Sequence, residues 1–408
     1  MVARRLISAR FLRAIGQGAL AVDFTLYLRA LHWGAVAIGL LLMAGALCGA
    51  GLSLAVGLGS DRIGRRAFLC VYEGGLTLGL VALLVAPSTA VLIVVAAIFG
   101  FGRGANGASG PFAPAEQAWL AQVVAEGRRG RIFSLQSGLQ FWGMAIGSVL
   151  AAVLIHLIPG AQGAAAFLPI FYLNLALAAV NLIQIVTLRE VRLQSASAAD
   201  QPTSVEQAEQ HRVLGSENRA LALLATVNMV NALGIGLVAP LLPYWFSVRF
   251  GVGPDLIGPV YALTFVLTGA STMAAGWLSE RIGIIRSIVW PRFIGVALLV
   301  AIPLLPSFSW AAVAYVVRSV VNRSSVGVRQ AFGVSLVRDH RRGFASSLNT
   351  ISQTVPAALG PAIGGLLIAA GALVWPFLIA AGLQLGYVVL FPRLLGPYEP
   401  GRMTAGEP

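Results

Sequence analysis

The chain consists of apolar runs of about 20 residues, separated by short segments that carry arginine. A helix needs about 20 consecutive apolar residues to cross the hydrocarbon core of a bilayer. Charged residues make up only 11% of the chain, whereas soluble domains carry roughly 25%, so no soluble core could bury this much apolar surface. We therefore predict an all-α polytopic membrane protein with twelve transmembrane helices. The predicted spans lie near residues 10–32, 35–57, 67–87, 89–122, 133–157, 165–188, 219–246, 255–277, 287–306, 309–336, 344–370 and 373–395.

The positions of the arginines orient these spans. Loops that carry several Lys or Arg residues tend to stay on the cytoplasmic side of a membrane. In a twelve-span arrangement every arginine-rich loop falls on one side, and the opposite loops hold little more than Arg29 and Arg249. The pattern predicts a multi-pass protein of the cytoplasmic (inner) membrane with both termini in the cytoplasm. The arginines that set this pattern include Arg62, Arg65, Arg66, Arg128, Arg129, Arg131, Arg281, Arg286, Arg338, Arg341 and Arg342.

The composition argues against several other classes of protein. The formal net charge is +13, but it is spread over short loops, so it does not indicate a nucleic-acid-binding face. Cys48 and Cys70 lie inside apolar runs, and the four His residues show no metal-ligand spacing. The sequence has no phosphate-binding loop of the ATPase type and no nucleophile constellation. We therefore expect neither an enzyme nor a bound cofactor or metal.

One long polar stretch divides the chain. Residues 189–218 are rich in Ser, Gln and Glu and lack apolar periodicity, so we predict a cytoplasmic linker there. The linker separates a first bundle of six spans, residues 1–188, from a second bundle of six spans with a short tail, residues 219–408.

The two predicted bundles repeat each other in sequence. Five residues around the fifth span, Arg129, Gly130, Ser134, Leu135 and Gly147, recur at one constant offset as Arg342, Gly343, Ser347, Leu348 and Gly360. Separately, the loop sequence GLGSDRIGRR, which begins at Gly57, has a partner GWLSERIGIIR, which begins at Gly276. Internal duplication is typical of secondary transporters, whose halves rock around a site at the membrane midplane.

These motifs resemble those of the major facilitator superfamily, and the resemblance covers nearly the whole chain. The loop after the second span carries the family's glycine, acid, glycine and basic pair at Gly57, Asp61, Gly64, Arg65 and Arg66. The fourth span resembles the family's arginine followed by a glycine-rich helix, at Arg103, Gly104, Gly107 and Gly110. The resemblance implies two pseudo-symmetric six-helix bundles, alternating access, a small-molecule substrate and a monomer in the lipid bilayer.

A third motif bears on the branch of the family. The sequence GPAIGG at residues 360–365 resembles the Gly-Pro motif of drug antiporters. In that group the motif lies in the fifth span, whereas the fifth span here reads GSVLAA and lacks the proline. The presence of the Gly-Pro motif makes the resemblance greatest to the drug and metabolite efflux branch. Its absence from the fifth span leaves the direction of transport open.

Charged side chains at membrane depth cost roughly 2.5–3.5 kcal/mol on insertion scales, so each is a candidate functional group. Asp23 in the first span could carry a coupled proton, since burial favours the neutral form of a carboxyl group. Alternatively, Asp23 is a structural partner of Arg13 or Arg29. Glu73 in the third span is a second candidate for proton coupling. Arg103 in the fourth span would either tune proton binding at Asp23 or form a fixed ion pair.

Polar and aromatic residues inside other spans are candidates for substrate contacts. The predicted cavity residues are Gln17, Tyr27, Gln136, Gln140, Asn228, Asn231, Tyr261 and Arg318. Each could instead serve only in helix packing. The spans of the second bundle lack acids, so Arg318, Arg323 and Arg329 either approach the cytoplasmic water or face a cavity that accepts anionic groups.

The loop after the second span is predicted to be a gate, and its glycines would allow a tight turn. The resemblance implies that Asp61 docks near the start of the eleventh span in the outward-open state, where a helix N-terminus favours an anion. Arg62 or Arg65 would pair with Glu116 or Glu126. The predicted gating residues are Gly57, Asp61, Arg62, Gly64, Arg65, Arg66, Glu116, Gly276, Glu280 and Gly283.

Three functions are compatible with these features. The first is proton-coupled efflux of a drug-like or metabolic compound. The second is uptake or facilitated diffusion of an anionic or sugar-like metabolite, which the arginines of the fourth and tenth spans favour. The third is a membrane sensor or scaffold that transports nothing, which the absence of a large soluble output module disfavours.

Overall fold

The computed structural model describes residues 2–102, 115–116, 119–120, 123–124, 126–188, 204–282, 284–324, 329, 332, 336–337 and 342–398. These residues form thirteen α-helices, which we number along the chain. They are α1 (Val2–Ala30), α2 (Ala35–Ile63), α3 (Arg65–Val85), α4 (Thr89–Phe99), α5 (Glu126–Leu154), α6 (Leu168–Val186), α7 (Ser204–Val238), α8 (Leu242–Phe250), α9 (Pro254–Ile282), α10 (Ile284–Ala301), α11 (Phe308–Ser324), α12 (Arg342–Ala369) and α13 (Trp375–Leu395).

The outer surface of the molecule is apolar. In the described part of the chain, eight segments are long and apolar enough to cross a membrane. Large apolar side chains point outward from them, and Val71, Leu78 and Val85 are each more than 70% exposed. Such a surface would be unstable in water and fits the hydrocarbon of a bilayer. The protein is therefore a multi-pass membrane protein, as predicted.

The thirteen helices correspond to the twelve predicted spans, because α7 and α8 belong to one span. A short 3₁₀ turn at Ala239–Leu241 separates these two helices. The turn contains Pro240, which lacks a backbone N–H and so cannot continue the hydrogen-bond ladder of the helix. At its other end α7 begins at Ser204, so the second half of the predicted linker is helical. Residues 189–203 lie outside the described residues.

The turn between the second and third spans is much shorter than predicted. We predicted spans that end at 57 and begin at 67, but α2 continues to Ile63 and α3 begins at Arg65. The predicted spans agree with the apolar segments Ala35–Val56 and Arg65–Val85. The second helix itself is longer than its span, because backbone hydrogen bonds continue past the membrane surface. Gly57 therefore lies within a helix, and the turn is Gly64 alone. Its φ of 111° suits glycine and is strained for other residues.

The second copy of this motif has the same arrangement of helices. The helix α9 ends at Ile282 and α10 begins at Ile284, so one residue again separates the two helices. That residue, Gly283, lies outside the described residues.

Equivalent helices pack in the same way within each of the two bundles. Gly147 of α5 lies against the backbone of Ile15 in α1, and Gly360 of α12 lies against the backbone of Gly236 in α7. A Cβ atom at either glycine would clash with that backbone. Small residues allow this close approach of membrane helices. Because Gly147 and Gly360 are partners in the sequence repeat, the repeat describes packing as well as sequence.

Contacts between the bundles involve one end of the molecule. Gly39 of α2 lies against the backbone of Pro361 in α12, and Gly258 of α9 lies against the backbone of Ser148 in α5. Arg29 at the end of α1 donates a hydrogen bond to the hydroxyl of Ser247 in α8. Along each helix these residues lie away from the end joined to an arginine-rich loop. These contacts join the bundles on the side opposite those loops, and the stacking of Phe141 on Phe265, with ring centroids 6.4 Å apart, continues them towards the middle of the helices.

Candidate functional site

A buried ion-pair cluster lies inside the first bundle. The guanidinium of Arg13 in α1 bridges two carboxylates, with Nη2 2.7 Å from Oε1 of Glu73 and Nη1 3.0 Å from Oε2 of Glu116. The side chains of Glu73 and Glu116 are 0% and 3% exposed. Gln136 of α5 donates a hydrogen bond to Oε1 of Glu116 at 3.0 Å. Attraction between opposite charges is strong in such a poorly solvated setting.

A second buried contact extends this cluster. Arg10, one turn before Arg13, donates from Nε and Nη2 to Oε1 of Gln140 at 3.0 and 2.7 Å. We call these six residues the first cluster: Arg10, Arg13, Glu73, Glu116, Gln136 and Gln140. Its two arginines and two glutamates carry no net formal charge.

Glu116 is held by partners that the sequence did not indicate. Its two oxygens accept from Arg13 and from Gln136, and Arg13 is brought to Glu116 only by the packing of α1. The pairing of Arg62 or Arg65 with Glu116 or Glu126 stays a prediction, because the side chains of Arg62 and Glu126 lie outside the described residues. Gln136, a predicted cavity residue, is a hydrogen-bond donor within the cluster.

A small cavity of about 50 Å³ adjoins the first cluster between α1, α3 and α6. Gln17, Glu73 and Asn181 are among its lining residues. The Oε2 atom of Glu73 and the Oδ1 atom of Asn181 are buried and have no hydrogen-bond partner among the described residues. Gln17 and Glu73 therefore face a small cavity inside the first bundle, whose lining is mainly apolar.

Asp23 lies deeper along the same helix. Its side chain is 1% exposed, and neither carboxylate oxygen has a hydrogen-bond partner among the described residues. Helical spacing places Asp23 on the face of α1 that also carries Gly16 and Tyr27. Gly16 packs on Asn174 of α6, and the Tyr27 ring lies 4.9 Å from that of Phe171 in α6. Asp23 therefore belongs to the interior of the first bundle.

The predicted structural partners of Asp23 are engaged elsewhere. Arg13 binds the two glutamates of the first cluster, and Arg29 binds Ser247. The alternative that Asp23 is a fixed partner of either arginine is therefore wrong. Arg103, the other predicted neighbour, lies outside the described residues.

A second cluster of polar side chains lies inside the second bundle. Asn228 of α7 donates to Oδ1 of Asn349 in α12 at 2.8 Å, and Gln353 donates to the same atom at 3.1 Å. Arg329 donates from Nη2 to Oε1 of Gln353 at 3.2 Å. Arg292 of α10 donates to Oδ1 of Asn231 in α7. We call these six residues the second cluster: Asn228, Asn231, Arg292, Arg329, Asn349 and Gln353.

Two residues of α13 connect a further arginine to the second cluster. The guanidinium of Arg292 lies over the ring of Tyr387, 4.7 Å from its centroid. Arg318 of α11 donates to Oε1 of Gln384 at 3.3 Å. The electrostatic neighbours of Arg292 are Arg329, Tyr387 and Arg318.

The two clusters occupy corresponding places in the repeat. The helices α3 and α10 each begin at the residue that follows the last glycine of their loop motif, and Glu73 and Arg292 each lie eight residues after that start. The offset that matches Gly147 to Gly360 also matches Gln136 and Gln140 to Asn349 and Gln353, and Glu116 to Arg329.

The first helices of the two bundles are in register through their glycines. A Cβ on Gly18 would clash with the backbone of Met144, and a Cβ on Gly236 would clash with that of Ala357. Met144 and Ala357 correspond in the repeat, so Gly18 corresponds to Gly236. In that register Arg10 and Arg13 correspond to Asn228 and Asn231.

The charges of the two clusters differ at every charged position. Both arginines of the first cluster are replaced by asparagines in the second, and both glutamates are replaced by arginines. The first cluster is neutral, whereas the second carries two positive charges and no acid. Arg292, Arg318 and Arg329 are nevertheless only 4%, 8% and 4% exposed.

Sequence reasoning missed most of this asymmetry. Asn228, Asn231 and Arg318 were predicted to line a substrate cavity, and Arg329 was noted as an arginine with no acid nearby in the sequence, but Arg292 was not singled out. The sequence did contain a signal for Arg292. When the alignment of the two loop motifs is continued from the third into the ninth span, Arg292 falls at the position of Glu73. Tyr261, another predicted cavity residue, is fully buried and packs on Tyr315 at a ring separation of 5.4 Å.

The described gating residues are only part of the predicted set. Gly64 forms the turn, and Arg66 donates to the carbonyl of Val186 at the end of α6. Helix ends leave carbonyl groups that basic side chains can bind. Arg66 therefore connects the start of α3 to the end of α6. Asp61, Arg62, Gly276 and Glu280 lie in α2 or α9, and their side chains are outside the described residues, as is Gly283.

Comparison with known proteins supports the fold. An uncharacterized membrane protein of Saccharomyces cerevisiae is 22% identical over 390 residues, which cover 88% of this chain and 86% of that protein. The crystal structure of a D-xylose-proton symporter has a TM-score of 0.73 and 14% identity, with 96% of this chain and 97% of that chain covered. The human organic anion transporter MFSD10 has a TM-score of 0.64 and 16% identity, with coverage of 95% and 99%. At these identities the two structures show a common fold alone.

The family profile of the Major Facilitator Superfamily matches residues 6–226 and 223–407. The two matched segments together span almost the whole chain. This agrees with the twelve spans and with the equivalent packing of the two bundles. The chain is therefore a transporter-fold membrane protein that belongs to the Major Facilitator Superfamily.

Proposed function

We propose that the protein is a secondary active transporter that exports a drug-like or metabolic compound against proton entry, by alternating access. The observation that carries this proposal is Asp23, a buried carboxyl group with no partner for either oxygen among the described residues. An unpaired buried carboxylate is costly, so Asp23 would be neutral in this conformation. It would release its proton when the opposite conformation admits water, and Arg103 would tune that release.

Two further features support this scheme. Glu73, with one unpaired oxygen at the cavity of the first bundle, is a second proposed coupling residue. The contacts between the bundles at Gly39, Gly258 and Arg29 lie on the side opposite the arginine-rich loops, and in the proposed alternating-access cycle that side would be the closed one. In this proposal the protein is a monomer of the cytoplasmic membrane, with its termini and arginine-rich loops in the cytoplasm, and the closed side faces outward.

Replacement of Asp23 by asparagine tests the proton-coupling role. The Asp23→Asn variant keeps the size and polarity of the side chain but cannot bind and release a proton. We expect it to lose substrate flux driven by an imposed pH gradient in proteoliposomes, while substrate exchange at equal pH continues. Gradient-driven flux equal to that of the wild type would rule out Asp23 as the proton carrier.

The loop between α2 and α3 is proposed to act as a latch. In the outward-open state Asp61 would dock near the N-terminus of α12, where the helix dipole favours a negative charge. We expect Asp61→Asn to reduce transport severely while substrate binding, measured by ligand-induced thermal stabilisation, persists. Equal loss of binding and transport would instead indicate damage to the substrate site.

A second candidate function is uptake or facilitated diffusion of an anionic or sugar-like metabolite. The acid-free second cluster and Arg318 favour it, since buried guanidiniums suit anionic groups. A proton ionophore separates the two candidates. Uptake that persists in its presence selects facilitated diffusion, whereas flux that stops selects proton coupling.

A further inference from the structure

The three buried arginines of the second bundle have unused hydrogen-bond donors. The Nε atoms of Arg292, Arg318 and Arg329 are buried and have no acceptor, and the same holds for Nη1 of Arg329. Buried donors are nearly always paired, and an unpaired donor on a charged group is especially unfavourable. These four N–H groups therefore lack an acceptor among the described residues.

The charges of these arginines are also uncompensated. In the first cluster Glu73 and Glu116 neutralise Arg13 at hydrogen-bond distance. In the second cluster arginines occupy the positions of both glutamates, and the electrostatic neighbours of Arg292 include two further cations. Placing like charges together in a poorly solvated interior is unfavourable unless a negative charge lies among them.

The geometry brings two of these guanidiniums over one face of α13. Gln384, which accepts from Arg318, and Tyr387, which lies under Arg292, are three residues apart and share that face. Gly234 of α7 packs against Ala380 and Gln384, which brings α7 close to the same region of α13. Asn231, one turn before Gly234, accepts a hydrogen bond from Arg292. Polar groups from α7, α10, α11 and α13 thus converge near the middle of the second bundle.

We propose that an anion of carboxylate or halide size binds among Arg292, Arg318 and Arg329. A single negative charge would accept hydrogen bonds from their free Nε groups and offset their repulsion. Such an anion is either a carboxylate of the transported substrate or a free inorganic anion. Binding itself is independent of the transport mechanism; only the identification of the anion with the substrate rests on the proposed function.

Thermal unfolding of the purified full-length protein tests the site. Midpoints are compared in sodium chloride, sodium acetate and sodium MES at equal ionic strength, with MES, a bulky buffer anion without a carboxylate, as the reference. A bound anion stabilises the folded state, so chloride or acetate should raise the midpoint by about 2 °C or more. A response to acetate alone assigns the site to an organic carboxylate, and an equal response to chloride assigns it to an inorganic anion.

The Gln384→Glu variant provides a built-in negative charge at the same place. Its carboxylate would take over the hydrogen bond from Arg318 and lie one turn from Tyr387, close to Arg292. We expect a higher midpoint in MES and loss of the response to added chloride or acetate. The matched control is Gln140→Glu, the same change beside Arg10 in the neutral first cluster, which should keep the anion response of the wild type.

Two further variants keep the proposal open to refutation. Arg292→Gln removes one of the three charges and should raise the half-saturating anion concentration by about tenfold, as expected for the loss of one charge-assisted hydrogen bond. Asp23→Asn should keep the anion response, so failure of proton coupling would be recorded separately from failure of anion binding. The proposal is overturned if neither chloride nor acetate stabilises the wild type, or if Arg292→Gln responds as the wild type does.

Discussion

The Arg13→Met variant should be destabilised by about 3–5 kcal/mol, the usual cost of removing one partner from a buried ion pair. Arg13 is the shared partner of Glu73 and Glu116, whose side chains are almost fully buried. Without it, two carboxylates would face each other with no cation between them. We expect the midpoint of thermal unfolding in detergent to fall by roughly 10 °C.

A compensating variant separates loss of charge balance from loss of packing. Adding Glu73→Gln and Glu116→Gln to Arg13→Met removes both unpaired charges and should restore most of the lost midpoint. Arg13→Lys should lie between the wild type and Arg13→Met, because one ammonium group cannot replace the two-sided contact of a guanidinium. A wild-type midpoint for Arg13→Met would show that the cluster does not stabilise the first bundle.

Enlarging Gly360 should have the next largest effect. A Cβ at this position would overlap the backbone of Gly236 and Leu237 in α7. A backbone cannot rotate away as a side chain can, so α12 and α7 must separate. We expect Gly360→Ala to cost about 1–3 kcal/mol, the range for overpacking, and Gly360→Leu to prevent recovery of folded protein from the membrane.

Gly382 in α13 provides the matched control, because a Cβ there would meet no atom within 4 Å. Gly382→Ala makes the same chemical change in a membrane helix and should leave the midpoint equal or slightly higher, since Ala favours the helix. Fluorescence-detected size-exclusion chromatography after heating measures both variants side by side. Equal midpoints for Gly360→Ala and Gly382→Ala would mean that the close contact between α7 and α12 is absent.

The sequence was sufficient to predict the helices because they depend on local apolar runs. It was less reliable at the ends of the helices, where α2 extends to Ile63 and α7 begins at Ser204. Hydropathy reports the part of a helix inside the bilayer, whereas hydrogen bonding determines where the helix ends. Gly64 was recognisable as a turn residue, but the one-residue length of the turn was not.

The candidate site was only partly predictable, since it depends on contacts between distant segments. Asp23 and Glu73 could be selected from the sequence because an acid is rare inside a span. The role of Arg13 could not, because its distance from Glu73 and Glu116 depends on helix packing. Arg292 was missed although it occupies the position of Glu73 in the repeat. A comparison that looks for similar residues does not pair a glutamate with an arginine.

The two clusters suggest a division of roles between the bundles. Among the described residues, the first bundle contains unpaired carboxyl oxygens on Asp23 and Glu73, which are suited to binding a proton. The second cluster contains unpaired guanidinium donors, which are suited to binding an anion. Proton movement coupled to substrate flux is therefore the central expectation. Asp61, Arg103 and the other undescribed side chains enter this scheme only as proposals.

The most direct measurement follows internal pH in proteoliposomes loaded with a pH-sensitive dye. The substrate is first found by thermal stabilisation against a panel of metabolites and drugs. Its addition to wild-type vesicles without an imposed gradient should move protons opposite to the substrate, and Asp23→Asn vesicles should show no pH change. Substrate flux through the wild type with no movement of protons would contradict proton-coupled exchange.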